Sequence, residues 1–277
     1  MNEKLFNTDY LKHLCQKYGL RPSKNYGQNY LINPEVIEEI VKVANLTKKD
    51  TIIEVGPGFG ILTFALCERA KKVVAFEIEK KLENYWQANS PDNLEIIWGN
   101  VLRAPENNFP KNYKVVANLP YQITSPVLKL FLQDLKNKPT ELTLMVQKEV
   151  AQRICAKPGD MSVLAIAVQY FAQAEIVGEV KCNNFWPEPQ VDSAVIKIIL
   201  NKSSSTREQD ERFFRLVKAG FAQKRKLLTK NLLPIIGKQH KEKLLSALKQ
   251  MGFSETARAQ ELSIANWQTL LEISTLS

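Results

Sequence analysis

From residue 50 to residue 200 the chain repeats one pattern: a short apolar run, a polar or Gly-containing corner, then a stretch with helical spacing. The runs at 51–55, 73–76, 94–98, 113–117, 141–146 and 194–200 are rich in Val, Ile and Leu and have strand length. Ile61–Arg69 reads as a helix, and helices are expected between the later strands. Upstream, Pro34 opens a helix in its first turn with Asn33 as its cap. Ile37, Ile40, Val41 and Ala44 give that helix one apolar face. Alternation of this kind predicts a doubly wound α/β sheet of Rossmann-like type.

Residues 1–35 read as an N-terminal arm. The polar, Ser-rich run from Asn201 to Thr206 reads as a domain break. Beyond it the apolar positions take helical spacing, at Phe213, Phe214, Leu216 and Val217, then Leu227, Leu228 and Leu232, then Leu244, Leu245 and Leu248. Two domains are therefore expected: 1–200 including the arm, and a small all-helical domain over 201–277.

Composition narrows the class. The chain is 44% hydrophobic and 24% charged, as in soluble globular proteins. No apolar run approaches the ~20 residues that cross a bilayer. The polar start, Met1 to Tyr10, lacks a signal core, so a cytoplasmic protein without a membrane partner is expected. Cys15, Cys67, Cys155 and Cys182 are scattered with no CxxC pair, which argues against a disulfide framework or a zinc site. His13 and His240 have no patterned partner, so neither a His-based triad nor a metal site is expected. The net charge of +9 is uneven: residues 1–200 carry 24 basic and 22 acidic side chains, residues 201–277 carry 14 and 7. A basic tail reads as a solvated helical surface or as a phosphate-binding one.

Candidate chemistry lies at the ends of the predicted strands. Gly56-Pro57-Gly58-Phe59-Gly60 follows a strand and opens a helix, where backbone N–H groups can approach a ligand. Glu77 ends the next strand, 21 residues after Gly56, where an acid suits the two hydroxyls of a ribose. A nucleoside-containing cofactor is implied. The third glycine comes one position too early for the dinucleotide motif, whereas the glycine run with Glu54 before it fits the S-adenosylmethionine version.

Asn118-Leu119-Pro120-Tyr121 stands at the C-terminal end of the fourth strand. An adenine N6 amine is a poor nucleophile because its lone pair is conjugated into the ring. A side-chain oxygen on Asn118 and the backbone carbonyl of Leu119 can accept hydrogen bonds from its two protons and hold the nitrogen in line with the donor methyl. Pro120 stiffens the turn, and Tyr121 offers a face for a base drawn out of its helix. A strand-ending turn with a core tyrosine is the plainer reading. In the run Phe185 to Val195, Phe185 or Trp186 can supply the opposite wall of a base sandwich, or a hydrophobic plug over the sheet edge.

These runs, in this order, resemble the bacterial small-subunit (16S) ribosomal RNA adenine N6,N6-dimethyltransferase family, a sister of the erythromycin-resistance rRNA methyltransferases. Gly27–Leu31, Glu54–Gly60, Phe76–Glu79, Asn118–Tyr121, Gln147–Arg153, Phe185–Val195, Phe221–Leu228 and Arg258–Ser263 carry the resemblance and span nearly the whole chain. It implies S-adenosylmethionine as cofactor and two adjacent adenosines in a 3′-terminal hairpin loop of small-subunit rRNA as target. It also implies a monomer acting on a 30S assembly intermediate. By position, Gln28, Asn29 and Leu31 belong to an arm over the cofactor, with Gly56, Gly58, Glu77, Ile78, Asn100, Val101 and Asn118 around it. Asn118, Leu119, Pro120 and Tyr121 handle the base, with Phe185 as second stacking partner. Lys224, Arg225 and Lys226 are expected to meet RNA phosphates. Asn100 departs from the Asp usual there; its oxygen can still accept a hydrogen bond, without charge assistance.

Three other readings remain. A large-subunit rRNA methyltransferase of the resistance type is disfavoured by Leu119, where those enzymes typically carry Ile, and by the Arg258–Ser263 run. A non-catalytic assembly factor on the same fold is disfavoured by the intact Asn118–Tyr121. A nicotinamide dehydrogenase lacks its glycine spacing and a placeable acid or base.

Overall fold

The computed structural model describes residues 3–21, 29–201 and 205–274. The elements in chain order are α1 (Thr8–Lys17), β1 (Tyr30–Leu31), α2 (Pro34–Ala44), β2 (Thr51–Val55), α3 (Ile61–Arg69), β3 (Lys72–Glu77), α4 (Glu83–Asn89) and β4 (Leu94–Trp98). There follow β5 (Lys114–Asn118), α5 (Thr124–Lys129), β6 (Glu141–Gln147), α6 (Lys148–Ile154), α7 (Val163–Gln169), β7 (Ala172–Val180), β8 (Phe185–Trp186) and β9 (Ser193–Leu200). The last four are α8 (Arg207–Gly220), α9 (Leu228–Ile236), α10 (Lys241–Gln250) and α11 (Ile264–Ser274).

Seven strands form one sheet in the order β4-β3-β2-β5-β6-β9-β7. The first five are parallel, and β9 runs antiparallel to both β6 and β7. This is the expected doubly wound α/β sheet. Strand order reverses between β2 and β5, and such a switch point leaves a crevice at the strand C-termini. The central strands are dry: Ile52, Ile53, Val115 and Val116 are all fully buried. Continuous apolar runs of this kind are what a sheet covered on both faces requires.

Capping fixes α2. The Asn33 side chain accepts from the Glu35 N–H at 2.8 Å. At the other end Lys197 Nζ donates to Val43 O at 2.8 Å, and Lys114 Nζ to Asn45 O at 3.0 Å. Two lysines from the sheet thus complete the carbonyl end of the helix and meet its negative pole.

Two elements were not foreseen. The arm contains α1, capped by the Asn7 side chain and buried through Leu11, Leu14 and Cys15. The edge strand β7 has a polar sequence in which only Ala172 and Val180 are buried; its nine residues are held by the ladder to β9, bulged between Ile176 and Gly178. A further short ribbon pairs β1 with β8, Tyr30 opposite Trp186 and Leu31 opposite Phe185.

The chain forms two compact units, one of Met1–Ala151 with Ala172–Leu200, the other of Gln152–Phe171 with Asn201–Ser277. The segment Gln152–Phe171, expected within the first domain, clusters with the helical one. Its Met161, Ala165 and Ile166 belong to the same core as Phe213, Leu216, Leu232 and Trp267, and Tyr170 stacks on Phe213 with ring centroids 4.1 Å apart.

Candidate active site

A cleft of about 420 Å³ opens at the C-terminal ends of β2, β3, β4 and β5. Its floor is the turn after β2. Gly58 and Gly60 take φ of +56° and +88°, a region costly for side chains. A Cβ on Gly60 would stand 2.7 Å from the Phe64 and Trp86 rings, and one on Gly58 would stand 3.3 Å from Tyr30. The turn is held from outside: Trp86 Nε1 donates to Gly58 O at 3.0 Å, and the Tyr85 hydroxyl to Phe59 O at 2.8 Å. The backbone edge of the cleft is therefore rigid and bare.

Glu77 closes the next corner. Its carboxylate accepts the N–H of Gly58 at 3.0 Å and of Glu79 at 2.8 Å. Burial raises its pKa, and the N–H groups of Glu79, Gly58 and Ile78 offset part of that rise. Beside it Ile78 is 65% exposed, an apolar surface left open on the cleft. Glu54, on β2, also lines the cleft and is 2% exposed, and its Oε2 has no hydrogen-bond partner. Desolvation pushes its pKa up to about 8, with the Glu77 charge adding to the rise. The Thr63 hydroxyl favours the charged form, although no well-aligned hydrogen bond forms between them.

Of the residues expected at the cofactor, Asn29, Leu31, Gly56, Gly58, Glu77, Ile78, Asn100, Val101 and Asn118 all line this cleft. Gln28 lies outside the described residues. Asn100 is exposed, and its Oδ1 accepts the Leu102 N–H at 3.0 Å, capping the single turn that carries the buried Val101.

Asn118 ends β5, where the sequence puts it, in register with Met145 of β6. Its Nδ2 donates to Asn29 O at 3.4 Å, which leaves Oδ1 as the acceptor. Pro120 lines the cleft. The Leu119 side chain is 1% exposed and faces the core, while its N–H is held by Met145 O at 3.1 Å, so only its backbone is placed for chemistry. Tyr121 is half-buried outside the cleft lining, with its hydroxyl 2.8 Å from Ser193 Oγ.

Phe185 does not present an open face. Neighbouring residues of a strand point to opposite sides, and in β8 Trp186 stacks on Tyr30 at 6.1 Å while Phe185 is 3% exposed, packed in the core. Lys224, Arg225 and Lys226 lie not on a helix but in the turn between α8 and α9, where all three are exposed. Asn231 pins that turn by donating to Gly220 O at 2.6 Å and Gln223 O at 3.1 Å.

The cleft also contains residues the sequence did not single out: Tyr30, Glu79, Leu82, Gln122 and Ile123. Tyr30 sits between two arm residues that were named, and Gln122 follows Tyr121, so adjacency to a motif was the available signal. Leu82 has none; the chain after β3 brings it back to the cleft.

Comparison with known proteins agrees with this geometry. The sequence profile of the ribosomal RNA adenine dimethylase family matches residues 19–275. The chain is 40% identical to the ribosomal RNA small subunit methyltransferase A of Bacillus pumilus, over 99% of this chain and 98% of that one. It is 39% identical to the protein of the same name from Dehalococcoides mccartyi, over 94% and 90%. Among solved structures it is similar to a dimethyladenosine transferase from Plasmodium falciparum, with a TM-score of 0.73 and 27% identity over 88% of this chain and 96% of that one. It is also similar to the 23S rRNA methyltransferase ErmE, with a TM-score of 0.71 and 25% identity over 88% and 99%. On the match along nearly its whole length, this chain belongs to the ribosomal RNA adenine dimethylase family.

Proposed function

We propose that this protein transfers methyl groups from S-adenosylmethionine to N6 of two adjacent adenosines in a 3′-terminal hairpin loop of small-subunit rRNA, two to each base. The observation that carries this is the meeting of two half-sites at one sheet switch point: the glycine turn with Glu77, and Asn118 with Pro120 lining the same cleft. The residues fit the cofactor. A bare backbone turn, a carboxylate for two ribose hydroxyls, the open apolar surface of Ile78 and the unpartnered Glu54 oxygen suit a nucleoside bearing a cationic amino-acid tail. Gly56, Gly58, Glu77, Ile78, Asn100 and Val101 would hold it, with Asn29 and Leu31 closing the near side.

The bound cofactor supplies a methyl group on a sulfonium, a good electrophile at neutral pH. The protein's part is orientation. Asn118 Oδ1 and the Leu119 carbonyl accept hydrogen bonds from the two N–H groups of the target amine and turn its nitrogen toward the methyl. The position of that carbonyl is fixed by the Leu119 N–H bond to β6. Tyr121 gives the extruded base a stacking face. Phe185 serves as the second wall only if the β1–β8 ribbon opens. Lys224, Arg225 and Lys226 anchor phosphates of the rRNA. The protein acts as a monomer on a 30S assembly intermediate in the cytoplasm. In keeping with this, no helix among the described residues is long and apolar enough to cross a membrane.

The large-subunit reading has weaker support, since identity to the 23S enzyme is 25% against 40% to a small-subunit one. The deciding experiment supplies labelled S-adenosylmethionine with immature 30S, mature 30S or 50S particles and maps the modified bases. Label on paired adenosines of immature 30S is expected; label confined to 50S overturns the proposal.

A further inference from the structure

Tyr121 stands in a single turn after Pro120, half-buried, where the backbone alone does not fix its ring. What fixes it is Ser193. The two hydroxyls lie 2.8 Å apart. Ser193 is fully buried at the start of β9, in register with Gln147 of β6 and Val180 of β7. Its neighbour Asp192 ties the same corner: its carbonyl accepts the Lys148 N–H at 2.9 Å, and its carboxylate accepts the Cys182 N–H at 3.0 Å and Lys181 Nζ at 2.9 Å. The Ser193 hydroxyl is thus mounted on a frame held from both sides, and it meets the Tyr121 hydroxyl at the far end of the ring.

We propose that Ser193 is a positioning residue for the target base: its hydroxyl holds the Tyr121 ring in the plane on which the adenine stacks. This rests on the reading of Tyr121 as a stacking face. A ring free about its torsions samples other planes, and each of these takes the base nitrogen out of line with Asn118 Oδ1. Small losses of alignment are expensive in group transfer. One neutral hydrogen bond sets a ceiling of about fivefold in rate. The loss should fall on kcat, because KM for the rRNA rests on many phosphate contacts.

The test is a double-mutant cycle on immature 30S, with Ser193→Ala, Tyr121→Phe and the two combined, and with cofactor affinity followed by calorimetry. Ser193→Ala is expected to lower kcat about fivefold, with KM for the particle and Kd for S-adenosylmethionine unchanged. In the Tyr121→Phe background it should add nothing, because the bond is already gone. Full additivity overturns the proposal, as does unchanged kcat in both single variants. If Ser193→Ala does not fold, Tyr121→Phe breaks the same bond from its more exposed end, and wild-type kcat in that variant overturns the proposal by itself. Tyr121→Ala separates the two ideas. Wild-type turnover there sinks the stacking reading, whereas a large loss there with none in Ser193→Ala sinks only the role of Ser193.

Discussion

Glu77 reaches back across the sheet corner to take the Gly58 N–H at 3.0 Å, so the acid proposed to hold the ribose also shapes the glycine turn. On that proposal one carboxylate serves two halves of the cofactor site. Glu77→Ala removes the proposed ribose acceptor and also leaves the part-buried N–H groups of Gly58 and Glu79 without their partner. Two charge-assisted hydrogen bonds lost together correspond to ~3 kcal/mol or more, so affinity for S-adenosylmethionine should fall at least about 100-fold. The melting temperature of the cofactor-free protein should fall as well. Glu77→Gln keeps one oxygen for one of the two N–H groups, so it should recover part of the stability while losing affinity. Calorimetry and thermal unfolding separate the two effects; equal damage in both variants would contradict the dual role.

Asn118 is the residue on which turnover should depend most steeply. Its Nδ2 is occupied by Asn29 O, which leaves Oδ1 free to be the proposed acceptor for the amine. Losing one positioned hydrogen-bond partner of the reacting group costs ~3 kcal/mol, so Asn118→Ala should lower kcat about 100-fold or more. Binding of the 30S particle should survive. Single-turnover rates with particle binding measured in parallel check this, and a near-wild-type rate rules out the chemistry proposed.

Much of this site was legible because its signals are local. The Gly56–Gly60 turn announces itself by glycines between a strand and a helix, and Glu77 by its distance from them. Asn118 stands at a strand end that the run at 113–117 placed within one residue. What was not legible depends on the partner surface. β7 is polar because one edge of a sheet needs little apolar cover, so its strand character comes from pairing with β9. α1 has only Leu11, Leu14 and Cys15 as a stripe, and its core partners lie far along the chain. The sequence around Phe185 leaves its ring readable either as an open wall for a base or as a hydrophobic plug. Its inward turn is set by pairing with Leu31, more than 150 residues upstream.

Glu54 makes the cofactor-free fold sensitive to pH. Its ordinary value is 4.5, and burial raises it to about 8, so between those two pH values the folded state holds a proton that the unfolded chain has released. Stability falls with rising pH wherever the folded state binds more protons. The Glu54 contribution should therefore be least harmful below about pH 4.5 and should worsen steadily up to about pH 8. Glu54→Gln removes the titration. Its stability relative to wild type, from urea unfolding, should climb between pH 5 and pH 8; parallel curves across that window would defeat the assignment. Binding of a positively charged cofactor at pH 7 should release protons from wild type but not from Glu54→Gln, seen as buffer-dependent heats.

The turn carrying Lys224, Arg225 and Lys226 offers three exposed cations on one short segment. Each phosphate contact to RNA contributes about 0.7–0.9 to the slope of log affinity against log salt. Replacing all three by Ala should reduce that slope by about two and weaken particle binding at low salt, while leaving the affinity for S-adenosylmethionine as it was. An unaltered slope in filter binding at several salt concentrations removes this turn from the RNA surface.

Asn100 offers the finest test, because its one oxygen already has a task. Oδ1 caps the turn by accepting the Leu102 N–H at 3.0 Å, and the other terminal atom of an amide is a donor. A carboxylate has a second oxygen for the cofactor's adenine amine, whereas the amide must share its single oxygen between both partners. A neutral, shared bond is worth ~1 kcal/mol and a charge-assisted one about twice that, so wild type should bind S-adenosylmethionine less tightly than Asn100→Asp by up to about tenfold. Asn100→Ala loses the acceptor and the cap together, and should bind more weakly still, with a small drop in stability. Calorimetry on the three proteins orders them. If wild type fails to bind and only Asn100→Asp does, the chain is a binding factor on this fold rather than an enzyme; if all three bind alike, Asn100 does not touch the adenine.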